Sequence, residues 1–343
     1  MVRKRVSTAI GLLVVISLAG LIFWILLPGQ NALLHEKPEG KWIKSITYYG
    51  DDAQLKQWRA LGYDGLHLLA RTLDKGRSYR KSYRWLMPRL PGILSACLYR
   101  LLPKPEDSHS TRMCVMSLLQ QFGKDAKPVE PAIARALSDD DSGVRQIAIG
   151  CYEELLGVMT EREKVARLPE FIRAMQDSDW GIRNNAADAL QFYPEEASVV
   201  VPALIKALQD PEIHVRMLAA KALAHIDLTA AIRSGAVPIA IQILRDPNDQ
   251  VAYQAAELLG EMGAEPGLAV PALIEAVHGT NGLVATTAAR ALGKFPGHAD
   301  LIIPVLLKAL QETNGIISRW ALTIALKEID PTNEPKPSVK RTK

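Results

Sequence analysis

Histidine and cysteine are the side chains best suited to hold a metal or act as nucleophiles, and this sequence has seven of the first and three of the second. His35, His67, His109, His214, His225, His278 and His298 include no HxxxH or HExxH pair, the spacing that puts two imidazoles one helical turn apart. His214 and His225 share a helix face, since eleven steps of about 100° return to nearly the same direction, but about 16 Å of helix rise separates them. One metal ion cannot bridge that gap. Cys97, Cys114 and Cys151 form no CxxC motif or disulfide framework and stand in apolar stretches, so they read as small core residues. No GxSxG elbow, GxxxxGK[ST] loop or GxGxxG turn occurs. The expectation is no catalytic residue, no cofactor and no metal site.

Two surface features remain, and the first is Lys75 to Arg89 (KGRSYRKSYRWLMPR), with six basic residues and no acid. Arg77, Arg80, Lys81 and Arg84 fall at i, i+3, i+4 and i+7 on one helix face, the pattern of a basic interfacial helix resting on anionic head groups. The alternative is an insertion whose Tyr79, Tyr83 and Trp85 merely pack on neighbouring helices. Nucleic acid is not the expected partner. Forty-one Lys and Arg against 37 Asp and Glu leave a net charge of +4, far from the strongly basic footprint of a dedicated nucleic-acid binder.

The elements that position such residues begin with Val6 to Leu27, 22 residues without a charge, about the length that crosses a bilayer core. Arg3-Lys4-Arg5 and Ser17-Leu18-Ala19 would also fit a cleavable signal peptide. The apolar run continues through Gly20–Leu27, however, beyond the usual signal core of about 7 to 15 residues. A single transmembrane helix is therefore expected over 6–27. The Arg-Lys-Arg flank places residues 1–5 in the cytoplasm and everything after the span outside it, in the periplasm if the source is bacterial. Residues 28–50 read as a polar tether, and 331–343 (PTNEPKPSVKRTK) as a disordered basic tail.

Between them the chain repeats itself. Pro131, Pro169, Pro202, Pro238, Pro271 and Pro304 are separated by 38, 33, 36, 33 and 33 residues, and similar sequence follows each. Proline suits the first helical position, where its missing N–H costs nothing, so one helix is expected to start there and a second about 12 residues later. Thirteen after each proline stand Val144, Ile182, Val215, Val251, Val284 and Ile317; seventeen after stand Ala148, Ala186, Ala219, Ala255, Ala288 and Ala321. Six alanines in one register predict a helix crossing where only a methyl fits. The expected architecture is all-α, with six repeats over 128–330. Degenerate repeats are expected over 51–127, one from Leu61-Gly62-Tyr63-Asp64-Gly65 into LHLLARTL and one from Pro91 to Leu102 followed by Thr111 to Phe122, with the basic insertion 75–89 between them.

These repeats resemble HEAT repeats, two-helix units that stack into a right-handed α-solenoid of the armadillo type. Asp139 with Arg145, Asp177 with Arg183, and Asp210 with Arg216 are similar to the family's Asp and Arg ladder, which Ala252, Ala285 and Ser318 interrupt in the last three repeats. The resemblance implies a protein-binding scaffold without catalysis. Some HEAT-like proteins are enzymes. Deoxyhypusine hydroxylase carries His-Glu pairs in its repeats for a di-iron site, but the His-Glu here is His35-Glu36 in the tether. The phycobilisome lyase group is the alternative reading, as enzyme or enzyme accessory, although no nucleophile motif of that group maps onto this chain.

The second surface feature is the stripe of the second helices, which in HEAT-like solenoids faces the concave side. Fifteen after each proline stand Gln146, Asn184, Met217, Tyr253, Thr286 and Arg319; nineteen after, Asp188, Lys221, Glu257 and Arg290 alternate in sign, so that neighbouring helices could pair them. Met217, Tyr253, Arg319 and Trp320 supply the adaptable, aromatic and Arg contacts enriched at protein interfaces. They are the expected partner-binding residues, for a protein or peptide lying along the groove.

Overall fold

Ala148, Ala186, Ala219, Ala255, Ala288 and Ala321 are all fully buried, so the repeat register read from the prolines places one column in the core. The computed structural model describes residues 32–330 apart from 49, 93–94, 97, 99–104, 247–248 and 313–316. The expected anchor over 6–27, Cys97 and the tail over 331–343 lie outside the described residues. Among the described residues no helix is long and apolar enough to cross a membrane. The chain divides into two compact units, Met1–Met159 and Thr160–Lys343.

In the second unit the hairpins are α8 (Glu161–Ala174) with α9 (Trp180–Leu190), α10 (Ala197–Ala207) with α11 (Ile213–Ile226), then a short α12 (Leu228–Arg233). They continue with α13 (Ala236–Leu244) and α14 (Asp249–Met262), α15 (Pro266–Val277) and α16 (Gly282–Leu292), and α17 (Ala299–Glu312) and α18 (Arg319–Ile329). Each second helix packs on the next, α9 on α11, α11 on α14, α14 on α16 and α16 on α18. The first helices α13, α15 and α17 form a parallel layer behind them. Side-chain caps start several second helices: Asp179 accepts from the Gly181 N–H, Asn281 from those of Leu283 and Val284, and Ser318 from that of Ala321.

The repeat prolines do not sit where their spacing suggested. Pro131 is in the first turn of its helix, but Pro169, Pro202, Pro271 and Pro304 lie inside theirs. The first helices begin upstream, where segments such as Ala197–Val201 add a turn before the proline. Each interior proline removes one i to i−4 hydrogen bond, a cost the packed apolar face of the helix offsets.

The first unit opens with a two-residue ribbon, β1 (Leu33–Leu34) against β2 (Lys37–Pro38), and helix α1 (Glu39–Lys44). The second half of the expected tether is thus folded. Trp42 holds it, donating from Nε1 to the Leu34 carbonyl at 3.0 Å and meeting Trp58 edge-on at 5.7 Å. Helices α2 (Asp52–Ala60), α3 (Gly62–Leu86), α4 (Pro105–Phe122), α5 (Glu130–Ala136), α6 (Ser142–Gly150) and α7 (Tyr152–Leu155) follow. The basic stretch is no insertion between two repeats: residues 75–86 continue the helix begun at Gly62, and 87–89 close it with a 3-10 turn. Of the two stretches that had suggested degenerate repeats, the apolar runs in α3 and α4 pack on each other with a core that includes Leu66, Leu69, Val115, Met116 and Leu119, while much of Pro91 to Leu102 lies outside the described residues. Amphipathic length decides this. Gly76 follows the apolar face of 66–73 but does not end the helix, and the polar residues around it extend the same helix.

Candidate interaction groove

Val144, Ile182, Val215, Val251 and Val284 at position thirteen and all six alanines at position seventeen are buried, whereas Ile317 is half-buried ahead of α18, and second helices pack side by side in the stack. That leaves a narrow strip open to solvent. Met217 is not on it. It is 1% exposed, because α11 is flanked by α9 on one side and α14 on the other, and an unbranched thioether fills the gap between helices. Met217 is therefore a core residue and is withdrawn from the expected binding set. Tyr253 is half-buried. Arg319 is exposed and donates from Nη1 to the Leu310 carbonyl at 3.3 Å, near the C-terminal end of α17. Trp320 is 66% exposed.

Lys221, Glu257 and Arg290 are exposed as expected, while Asp188 is half-buried. Burial pushes the Asp188 carboxyl up, and the Lys221 charge and a hydrogen bond from Gln191 oppose this. The alternating charges do not form the expected ion pairs: within 4 Å no salt bridge joins Asp188, Lys221, Glu257 or Arg290 to one another. Helix spacing in the stack is set by the alanine and glycine crossings, and at that spacing these side chains stop short of each other. One turn further along, Lys294 does reach Glu328 at 2.9 Å.

A pocket of about 270 Å³ opens on this strip between α14, α16 and α18. Glu257 and Glu261 line one side, Arg290 the middle, and Trp320 with the Lys294–Glu328 pair the other. Its floor is Gly260 against Ala291. A Cβ on Gly260 would stand 2.9 Å from the Ala291 Cα, so only glycine permits this crossing. Gly293 does the same in the following repeat, where a Cβ would meet the Ala325 Cα at 3.0 Å. Ala224, Gly260 and Gly293 all stand twenty-two after their prolines, a small-residue column legible in the sequence and overlooked there. A second pocket of about 360 Å³, lined by Lys221, His225, Leu228 and Met262, shares Glu261 with the first. The two pockets adjoin at Glu261.

The basic face of α3 is engaged rather than free. Arg77 donates to the carbonyls of Arg135 and Ser138 at 2.8 and 3.3 Å, and Arg84 donates to the Asp140 carboxylate at 2.7 Å. Both bond the turn between α5 and α6, although the Arg84 side chain stays 58% exposed. Lys81 is exposed, and the Arg80 side chain lies outside the described residues. The same turn takes Arg112 of α4, 1% exposed and hydrogen-bonded to Asp139. Burial pushes the Asp139 carboxyl up, while the Asp141 N–H and the Arg112 charge oppose that rise.

Among the described residues no three His, Cys, Asp or Glu side chains gather to hold a metal ion. His214 lies 5.3 Å from the Trp180 ring and bonds Glu212 at 3.0 Å, while His225 lines the second pocket. Burial pushes the Cys151 thiol up to about 12 and raises that of Cys114, so neither is a thiolate at neutral pH.

The geometry of residues 168–327 has a counterpart among known proteins. Residues 168–234 and 237–327 match the family model described as HEAT repeats. Over 85% of this chain and 84% of the other, the structure is similar to that of an engineered protein at 18% identity, TM-score 0.53, a likeness of fold alone. A second engineered protein (19% identity, TM-score 0.45, 59% of this chain and 98% of that one) and a designed armadillo repeat protein (18%, 0.45, 58% and 99%) are also similar. No curated protein matches the sequence. The match to the HEAT-repeat model lies within the second unit.

Proposed function

We propose that this chain is a non-catalytic scaffold that holds a protein or peptide against the exposed strip of its HEAT-repeat second helices. The observation that carries the reading is Trp320, a large aromatic two-thirds exposed at the mouth of an open pocket, since buried aromatic anchors carry most of the energy of protein interfaces. Binding would cover it. Tyr253, half-buried on the helix that also carries Glu257, and Arg319 beside Trp320 extend the same surface. In this reading residues 6–27 tether the scaffold to a membrane, with the repeats outside the cytoplasm, supported by the uncharged run and its Arg-Lys-Arg flank.

Affinity purification of the detergent-solubilised full-length chain tests the scaffold reading. Trp320→Ala should lose the co-purifying partner while helical signal and melting temperature stay unchanged. Lys206→Glu, on the exposed face of a first helix, should retain it. The opposite pattern would place the working surface on the first helices. Protease added outside intact cells or spheroplasts should remove the repeats, and their protection until the membrane is broken would reverse the topology.

A further inference from the structure

The charges around the Trp320 pocket do not cancel, and the residue left over describes a ligand. Lys294 and Glu328 pair at 2.9 Å and neutralise each other. Glu257 and Glu261 stand four residues apart on α14, adjacent on one helix face, where like charges repel. Among the described residues neither carboxylate has an ion pair or a side-chain hydrogen bond, and both line the pocket. Arg290 is the one remaining cation of the lining. The Trp320 ring lines the same pocket, is 66% exposed, and among the described residues stacks on no other ring. The Gly260–Ala291 floor gives the pocket its depth, because no side chain rises from that crossing.

We propose that this pocket receives an arginine side chain from an extended peptide segment of the partner, an assignment that rests on the scaffold reading above. A guanidinium is flat, so it can stack on the indole face, and its fork of five N–H donors can reach two carboxylates at once. A lysine ammonium would offer a point charge without the stacking plane. A carboxylate ligand would meet Arg290 but also Glu257 and Glu261, one negative charge more than Arg290 balances. The size agrees, since about 270 Å³ holds one long side chain and not a folded element. The second pocket adjoins this one at Glu261, where the peptide backbone would continue. Packed helices are about 10 Å apart and an extended chain rises about 3.3 Å per residue, so roughly three residues span each helix.

The test uses the full-length chain in detergent and a fluorescein-labelled nonapeptide with arginine at every third position among serine and alanine, read by fluorescence anisotropy. Matching peptides carry lysine or glutamate instead, and free arginine serves as a competitor. The arginine peptide should bind about tenfold or more tightly than the lysine peptide, and the glutamate peptide should not compete. Trp320→Ala and the double variant Glu257→Gln/Glu261→Gln should each weaken binding about tenfold or more. Arg290→Gln should not weaken it, and circular dichroism should report an intact fold in every variant. A preference for the glutamate peptide that Arg290→Gln abolishes overturns the proposal, as does no binding by any peptide. Free arginine competing as well as the peptide would make the pocket a small-molecule site and also overturn it. If Trp320→Ala loses the co-purifying partner but Glu257→Gln/Glu261→Gln keeps it, the scaffold reading stands and the arginine assignment falls.

Discussion

Arg183 of one repeat donates two hydrogen bonds to the Asp210 carboxylate of the next, at 2.7 Å from Nε and 2.8 Å from Nη2, in a bidentate pair with both side chains largely buried. Its remaining Nη1 donates at 2.9 Å to the Asp177 carbonyl of its own repeat, and Asp210 also accepts the Glu212 N–H at 2.9 Å. Arg183 thus ties its own turn and joins it to the next, while Arg145 and Arg216 donate to the Asp139 and Asp210 carbonyls of their own turns. Arg183→Ala should cost about 2 to 3 kcal/mol, because it strands a largely buried carboxylate. Arg245→Ala, which breaks the exposed pair with Glu275, should cost about 0 to 1 kcal/mol. Chemical denaturation of both variants checks the ordering.

That pair also sets a pH dependence. Burial raises the Asp210 carboxyl, but the Arg183 hydrogen bonds, the Glu212 N–H and the charges of Arg183 and Arg216 outweigh it and hold the pKa below its ordinary value. A depressed folded pKa means stabilisation present above the unfolded value of about 3.9 and lost as pH falls through the folded one. Acid titration of Asp210→Asn should therefore show a smaller loss of stability below about pH 4 than the parent chain shows. An acid limb of unchanged slope would mean that the pair does not control it.

Gly260 and Gly267 are both helical glycines, yet they should respond oppositely to alanine. Alanine is worth about 1 kcal/mol over glycine in a helix interior. At Gly267 nothing lies within 4 Å of the new Cβ, so Gly267→Ala should be neutral or stabilising. At Gly260 the methyl would meet backbone and side chain of Ala291 at 2.9 Å, and overpacking should cost about 1 to 3 kcal/mol. Thermal melts that move in the same direction would contradict the close crossing of α14 and α16.

What the sequence made legible follows the strength of its periodic signal. Position seventeen is the crossing itself, so all six alanines were identifiable from type and register alone, and all six are buried. Position fifteen faces sideways, and whether Met217 is covered depends on the neighbouring helix rather than its own, which a single helical wheel cannot represent. The ladder Asp residues were legible, but not that Arg183 would reach forward to Asp210, since the Arg-to-Asp bond crosses 27 residues. The Trp320 pocket needed three helices brought side by side. Glu257 and Arg290 of its lining read in the sequence as members of a mutually pairing column, and they are not paired.

The buried ion pair in the first unit should reveal itself through pH in the other direction. Arg112→Met removes the cation that opposes the effect of burial on Asp139, so the carboxyl pKa in the folded variant should rise further. A raised folded pKa gives stability that is present at low pH and lost as pH rises through it. The variant should therefore fall short of the parent by about 3 to 5 kcal/mol near pH 8, and by less near pH 5, where Asp139 can hold its proton. Denaturation at both pH values measures this, and a deficit independent of pH would argue that Arg112 acts through packing alone.

Arg77 and Lys81 separate a structural from a membrane role for the basic face of α3. Arg77 bonds the Arg135 and Ser138 carbonyls at the C-terminal end of α5, where a cation also meets the negative end of the helix dipole. Arg77→Ala should thus destabilise the first unit by about 1 to 2 kcal/mol. Lys81→Ala, at an exposed position of the same helix, should leave stability within about 0.5 kcal/mol of the parent. Neither change should alter co-sedimentation with phosphatidylserine vesicles when it is measured on residues 32–343 with the apolar run removed. A loss of vesicle binding in Arg77→Ala at unchanged stability would restore the lipid-facing reading of this helix, because it would show the guanidinium released from the α5 carbonyls in solution.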